Sequence, residues 1–325
     1  MSRIISSIDL GKFFASIMIV VLHCRPLSAY PHLDYFLTGI CRIAVPFFFI
    51  ASSYFFFKSD KNIWTFVKRL LLLYFAWFII ELPLTIQRFF IDTDKSLLYN
   101  CFLFFRGLFI NSTFYASWFI TALWQGVLIV WWLSKRINYK WLFGIGIICF
   151  ILACMWSMYR ETINGTVIWP YFKVFGVLLA PSNSFIVAIP YCIIGKYLAE
   201  HPNLSIKRKG AVIPISLILA LELWLCRDIG YMSDSYFSLI LISPFLFLLL
   251  LNWDVSINPT ISKYLRNCSI LIYLLHLPVL NLLNSNLDTP LSGFALLSLV
   301  LFCSLFLATI IISASKIVRI LRYLY

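Results

Sequence analysis

Apolar residues run along this chain in blocks near the length that crosses a bilayer, separated by short polar stretches. A spanning helix needs about 20 apolar residues. Ten stretches approach that length, near 8–24, 35–57, 66–90, 117–134, 141–158, 184–199, 210–227, 236–252, 268–284 and 292–315. A further apolar piece, Leu97–Ile110, is interrupted by Asn100, Arg106 and Gly107 and reads as interfacial or re-entrant, with a full span as the alternative. The pattern predicts an all-α polytopic transmembrane helix bundle of about ten spans. No polar block is long enough to form a separate soluble domain, so residues 1–325 are expected to make one integral membrane domain. No small-residue cleavage site follows the first segment, which is expected to remain as the first helix.

The basic residues orient this bundle, because cytoplasmic loops collect Lys and Arg. With the N-terminus inside, the inner set is Arg3, Lys12, Lys58, Lys61, Lys68, Arg69, Lys135, Arg136, Lys140, Lys196, Lys207, Arg208, Lys209, Lys263, Arg266, Lys316, Arg319 and Arg322. The outer set is the much shorter Arg25, Arg88, Lys95, Arg106, Arg160, Lys173 and Arg227, with Arg42 left inside a span. Both termini are therefore expected on the cytoplasmic side of an even number of spans.

Composition agrees, at 62% hydrophobic against roughly 45–50% for a soluble domain. A formal charge of +13 would suggest nucleic acid in a soluble protein. Here the cations lie mostly in short loops, so the expected partner is the lipid bilayer and no nucleic acid. Nine cysteines are scattered without a C-x-x-C pair, which reads as small buried apolar residues with neither a metal site nor a disulfide frame.

Charged and titratable residues inside the spans are the chemistry that needs explaining. Lys12 and His23 lie eleven positions apart on the first helix. At 100° per residue that places them within about 20° of one face and roughly 16 Å apart along the axis. Taken alone, Lys12 could snorkel and His23 could sit at the interface. Asp9, three residues before Lys12, has an i,i+3 ion pair available. Arg42 is harder to dismiss: an unpaired charge at depth costs at least ~2.5–3.5 kcal/mol, so it should face a polar cavity or a partner. Glu81 and Glu222 are intramembrane acids that either pair with Arg42 or sit neutral. Tyr273 and His276, in "SILIYLLHLPVL", lie near one face, and His276 is either structural or part of a site. Pro278 beyond it frees a backbone carbonyl and should bend the helix. Trp156, Tyr159, Trp169 and Tyr171 either stack on sugar rings or form an interfacial belt.

At these residues the sequence resembles the acyltransferase 3 family of multi-pass membrane O-acyltransferases, particularly stand-alone bacterial members that acetylate cell-surface glycans, such as the enterobacterial common antigen O-acetyltransferases. "IDLGKFFASIMIVVLH" is similar to the family's first helix, with Asp9, Lys12 and His23 in its acidic, basic and histidine positions. "RIAVPFFFIASSYFFF" resembles the second helix, with Ser53 where glycine is usual after Ser52, which questions how closely the helices pack there. "FVKRLLLLYFAWF" resembles the third, with Arg69 in the arginine position and Leu72 where some members carry a second arginine. "SWFITAL" matches a Trp-Phe segment at Trp118 and Phe119, and the Tyr273/His276/Pro278 run matches a late motif.

The resemblance implies an O-acetyltransferase that moves an acyl group, usually acetyl from acetyl-CoA, to a hydroxyl of a surface glycan or its lipid-linked precursor. Acetyl-CoA would be a donor substrate and no cofactor would be permanently bound. His23 would be the catalytic base or acyl relay, with Asp9 beside it in the catalytic set. Lys12, Lys68 and Arg69 would receive the CoA phosphates from the cytosol, and Arg42, Tyr273 and His276 are further candidates for the polar interior. The implied location is the bacterial cytoplasmic (inner) membrane, with other glycan-assembly proteins as possible partners. The competing reading is a transporter or flippase of acyl groups, small metabolites or lipid-linked saccharides, since intramembrane His, Arg and Glu also serve substrate pathways.

Overall fold

The computed structural model describes residues 5–59, 61–114, 116–204, 212–229, 235–286 and 291–325. Arg3, Lys207, Arg208 and Lys209 of the inner basic set, and the first residues of the 210–227 stretch, lie outside the described residues. Among the described residues there is no β-strand. In chain order the helices are α1 (Ser6–Cys24), α2 (Pro31–Cys41), α3 (Ala44–Phe57), α4 (Ile63–Ile80), α5 (Leu82–Ile86), α6 (Leu97–Phe109), α7 (Ser117–Leu133), α8 (Tyr139–Trp156), α9 (Arg160–Ile163), α10 (Trp169–Leu179), α11 (Phe185–Glu200), α12 (Val212–Cys226), α13 (Leu239–Leu251), α14 (Pro259–Asn286) and α15 (Gly293–Ala314).

Six of these units are long and apolar enough to cross a membrane, counting α2 and α3 together as Pro31–Phe57, and a seventh if the bent pair α10–α11 is one span. Leu97–Phe109, Ser117–Leu133, Ile213–Cys226 and Leu239–Leu251 are shorter apolar helices. Over its described residues each of the ten expected stretches is mostly helical, the 66–90 stretch in three pieces broken at Glu81, and the interrupted Leu97–Ile110 piece is α6.

Two departures matter for the site. The expected continuous span 35–57 breaks at Arg42 and Ile43, between α2 and α3. Pro46 is the cause: lacking an N–H, it cannot bond the Arg42 carbonyl four residues earlier, so the i→i−4 ladder is interrupted there. The break puts Arg42 at a helix joint. Further on, α14 starts at Pro259, well before the expected 268, because its first turns carry polar residues that a hydropathy reading leaves out. It continues past Pro278 without termination.

The fold is organised around α3, which is buried along most of its length and packs against both α1 and α11. On its other sides α1 lies along α14 and α15, and α11 along α7 and α8. Close approach is supplied by small residues on α11 and its neighbours. A Cβ on Gly195 would meet the Ile50 carbonyl oxygen at 2.7 Å and the Tyr54 nitrogen at 3.0 Å, and one on Gly126 would meet the Ala188 Cβ at 2.9 Å. Ser53, which replaces the usual glycine, is accommodated on the same interface. Its hydroxyl folds back onto its own helix, donating to the carbonyl of Phe49 (2.7 Å) or Ile50 (3.1 Å), while the missing side chain belongs to Gly195 opposite. Small-residue interfaces of this kind let membrane helices approach closely.

Candidate functional site

Seven parts of the fold converge on one cavity of about 260 Å³: the C-terminal end of α1, the α2–α3 joint, the π-helical turn Gln87–Ile91, the entry to α7, the α10–α11 bend, the segment before α13 and the middle of α14. Its walls include His23, Arg42, Trp118, Tyr273 and His276, so the structure brings together four residues that the sequence reading named separately as site candidates. The His23 and His276 rings lie 5.1 Å apart between centroids at an angle of 45°. His276 is buried, 1% exposed. Its Nδ1 is 3.2 Å from the Ile272 carbonyl one turn back on α14. A carbonyl can only accept, so Nδ1 carries the proton and Nε2 of the neutral ring is left as the acceptor. Among the described residues Nε2 has no hydrogen-bond partner.

Tyr273 is also spoken for. Its hydroxyl donates to the carbonyl of Ala116 at 2.8 Å, just before the start of α7. Ala116 has a left-handed backbone, with φ 62°, a conformation that costs a non-glycine residue of order 1–3 kcal/mol and persists where surroundings fix it. Among the described residues the other two non-glycine residues with positive φ are Arg25, which ends α1 two residues after His23, and Ala180, at the α10–α11 bend. All three border the same cavity or the helix ends that form it. Arg25 is fixed by an ion pair from Nε to the buried carboxylate of Asp34 on α2 at 2.8 Å. Phe119 packs edge-on to Tyr273 at 5.4 Å and against Phe49 of α3 at 4.8 Å, which ties the α7 entry to α14 and α3.

Electrostatically the cavity is one-sided. Arg42 and Arg88 both line it, Ser112, Ser182, Asn183 and Ser235 add polar groups, and no Asp or Glu is among its described lining residues. The rest is apolar, with Ile19, Leu22, Val45, Phe49, Val187 and Leu277. Such a site suits a small apolar group attached to an oxygen that gains negative charge.

The sequence reading missed Arg88, Ser112, Ser182 and Asn183. By sequence Arg88 belongs to the outer basic set. It sits in a π-helical turn, Gln87–Ile91, a distortion that often marks functional sites. Ser182 and Asn183 belong to the tight turn Pro181–Asn183 at the α10–α11 bend, where the two helices meet at 44°. The "LLAPSNS" punctuation was the available signal, since Pro within an apolar run breaks a helix.

Asp9, Lys12, Lys68 and Arg69 lie elsewhere. Asp9 is fourteen residues from His23 on α1, roughly 21 Å along the axis, so it is not beside the histidines. It is buried. Its carboxylate accepts from the Ser262 hydroxyl at 2.8 Å and faces Arg266 at 3.9 Å, both on α14. Lys12 does not form the i,i+3 ion pair; its ammonium stands over the Phe55 ring, 4.9 Å from the centroid. Lys12, Arg69 and Arg266 lie within electrostatic range of one another, and Lys68 is exposed on α4 beside Arg69. The extended start of α14 thus adds Arg266 to the basic cluster and supplies the partners of Asp9.

Glu222 is engaged away from the histidine cavity. Its carboxylate accepts from the N–H groups of Phe237 and Ser238, both at 2.7 Å, and from the Tyr159 hydroxyl, so it caps the start of α13. Glu81 is buried at the α4–α5 joint. Among the aromatic residues considered for sugar stacking, Trp156 and Trp169 stack on each other at 6.3 Å, with the Arg160 guanidinium 4.8 Å and 5.3 Å from their rings. Tyr171 is 77% exposed. All nine cysteines are unpaired thiols, buried or half-buried.

Comparison with known proteins adds a family. A family model described as an acyltransferase domain (Acyl_transf_3) matches residues 5–317. Among curated proteins, the chain is similar to a serine/alanine racemase of Enterococcus gallinarum, 26% identical over 286 residues, covering 83% of this chain and 40% of that protein. It is also similar to two amino-acid racemases of Enterococcus faecalis. One is 25% identical over 206 residues, covering 61% of this chain and 28% of the relative, and the other 24% identical over 340 residues, covering 97% and 47%. The chain spans less than half the length of each of these relatives. No solved structure matches it. A match over nearly the whole chain, on an apolar helical fold, makes this membrane protein a member of the acyltransferase 3 family.

Proposed function

We propose that this protein transfers an acyl group, acetyl in the simplest case, from cytoplasmic acyl-CoA to a hydroxyl of a surface glycan or its lipid-linked precursor, in a bacterial inner membrane. The observation that carries the reading is the pairing of two unlike sites on α1. A basic cluster of Lys12, Arg69 and Arg266 lies at one end, and a carboxylate-free cavity with two histidines and two arginines at the other. CoA is bipolar in the same sense, with phosphates at one end and the reactive thioester on an extended arm.

In this reading His23 accepts the proton of the acceptor hydroxyl as its oxygen attacks the thioester carbonyl. Arg42 stabilises the oxyanion, and collapse expels CoA thiolate, which recovers the proton. His276, held in one tautomer by Ile272, packs its ring against His23 and leaves Nε2 as a second acceptor in the cavity. Asp9 orients the basic cluster through Ser262 and Arg266. Both termini face the cytoplasm in this arrangement. A reporter fused after Tyr325 should therefore read as cytoplasmic, and a periplasmic readout would reverse the orientation.

The donor half of the reading is tested by binding. Acetyl-CoA should stabilise the purified protein against heat. Lys12→Ala should weaken its affinity roughly tenfold, the scale of one lost charged contact, and reduce its salt dependence. Lys12→Arg should restore most of it because the charge remains. Equal affinity in all three proteins would remove Lys12 from the donor site.

A second reading, passage of a small amino acid or metabolite through the same cavity, is favoured by the names of the Enterococcus relatives, which are racemases of amino acids. It predicts movement of the solute without cleavage of a thioester.

A further inference from the structure

A second cavity, of about 430 Å³, lies beside the histidine cavity, and the two share Arg88 and Ser112 in their walls. Its volume falls in the ~300–1,000 Å³ range of small-molecule sites. Its chemistry is the opposite of its neighbour's. Asp92, Asp94, Lys95, Arg106 and Asn111 line it, with little apolar surface beyond Phe89 and Leu103.

The wall is held by its own hydrogen bonds. Asn100, 4% exposed, donates from its side-chain amide to the Lys95 carbonyl at 3.1 Å and accepts from the Thr93 hydroxyl at 3.4 Å. Thr93 in turn accepts from the Lys95 N–H at 3.3 Å. These bonds fasten the turn after the π-helical segment onto α6. Arg106 donates to the Val177 carbonyl of α10 at 2.6 Å, which fixes the far side.

Charges of both signs nearly cancel here, with Arg88, Lys95 and Arg106 facing Asp92 and Asp94, so the lining is mixed where a dedicated anion site would be uniformly positive. A hydroxyl group both donates and accepts. A ligand with many hydroxyls can therefore satisfy carboxylates, guanidinium groups and an amide together. We propose that this cavity is the acceptor subsite and binds a carbohydrate, with Asp92 and Asp94 accepting from ring hydroxyls and Arg106 and Asn111 completing the contacts. The shared wall at Arg88 and Ser112 is where one hydroxyl passes toward His23. The proposal rests on the acyl-transfer reading and specifies where its acceptor binds.

The test is a titration of the purified full-length protein with oligosaccharides released from the source cell's surface polysaccharide and stripped of esters by mild base. Inorganic phosphate serves as competitor, and acetyl-CoA affinity is measured in parallel. The wild-type protein should bind the oligosaccharides. The double variant Asp92→Asn/Asp94→Asn should bind them about tenfold or more weakly, as expected for lost charged hydrogen bonds, with acetyl-CoA affinity unchanged. Asp94→Asn alone provides the same comparison if the double variant fails to fold. Unchanged oligosaccharide affinity in the variants, no binding by the wild type, or displacement by inorganic phosphate would each overturn the proposal. Oligosaccharide binding that depends on Asp92 and Asp94 in a protein that does not bind acetyl-CoA would support this subsite while defeating the acyl-transfer reading, so the two failures are distinguishable.

Discussion

Replacing His23 by Ala is expected to lower acyl transfer by ~10²–10⁴-fold, the usual contribution of a positioned proton-transfer group, while acetyl-CoA affinity stays near wild type. The separation of effects follows from distance. His23 lies on the cavity wall at the end of α1, roughly 16 Å along the helix from Lys12. Removing its imidazole therefore leaves the basic cluster around Lys12 untouched. His276 lines the same cavity with its Nδ1 committed to the Ile272 carbonyl and its Nε2 without a partner among the described residues, so its own substitution belongs in the comparison. Rates and donor affinities measured on wild type, His23→Ala and His276→Ala would check this. Transfer at the wild-type rate by His23→Ala would move the base to His276.

The second large effect is expected at Arg42. Arg42→Leu should reduce transfer by ~10²–10³-fold, the scale of losing one oxyanion-stabilising donor, with the protein still folded and still binding acetyl-CoA. The helix joint does not depend on the guanidinium, because Pro46 breaks the ladder through the backbone. Arg42→Lys should recover only part of the rate, since an ammonium keeps the charge and loses the planar fork. Melting temperature and donor binding serve as controls. A fully active Arg42→Leu would confine the residue to a structural role.

Much of the fold was legible because hydrophobic length is a strong signal in a membrane chain. Each apolar stretch became helix, and His23, Arg42, Tyr273 and His276 were recognisable as polar residues inside apolar runs. What escaped was whatever polar sequence hid. The first turns of α14 carry Ser262 and Arg266, which hydropathy assigns to a loop, although they are the partners of Asp9. Arg88, Ser112, Ser182 and Asn183 enter the cavity from turns and a π-helical segment, where neither a period of 3.6 nor apolar length marks them. The ion pair expected between Asp9 and Lys12 was a local inference from spacing. Arg266 and Ser262, far along the chain, compete for the same carboxylate and are the partners it has.

The relatives named as racemases sharpen the remaining choice between chemistry and passage, since both readings use the same cavity. The deciding measurement is made on the protein in sealed vesicles, with doubly labelled acetyl-CoA on the face bearing Lys12 and ester-stripped oligosaccharide on the other. Acyl transfer predicts release of free CoA matched one for one by ester-linked acetyl on the oligosaccharide, lost in His23→Ala. Acetyl-CoA left uncleaved while wild-type vesicles move free serine or alanine across the membrane would contradict it.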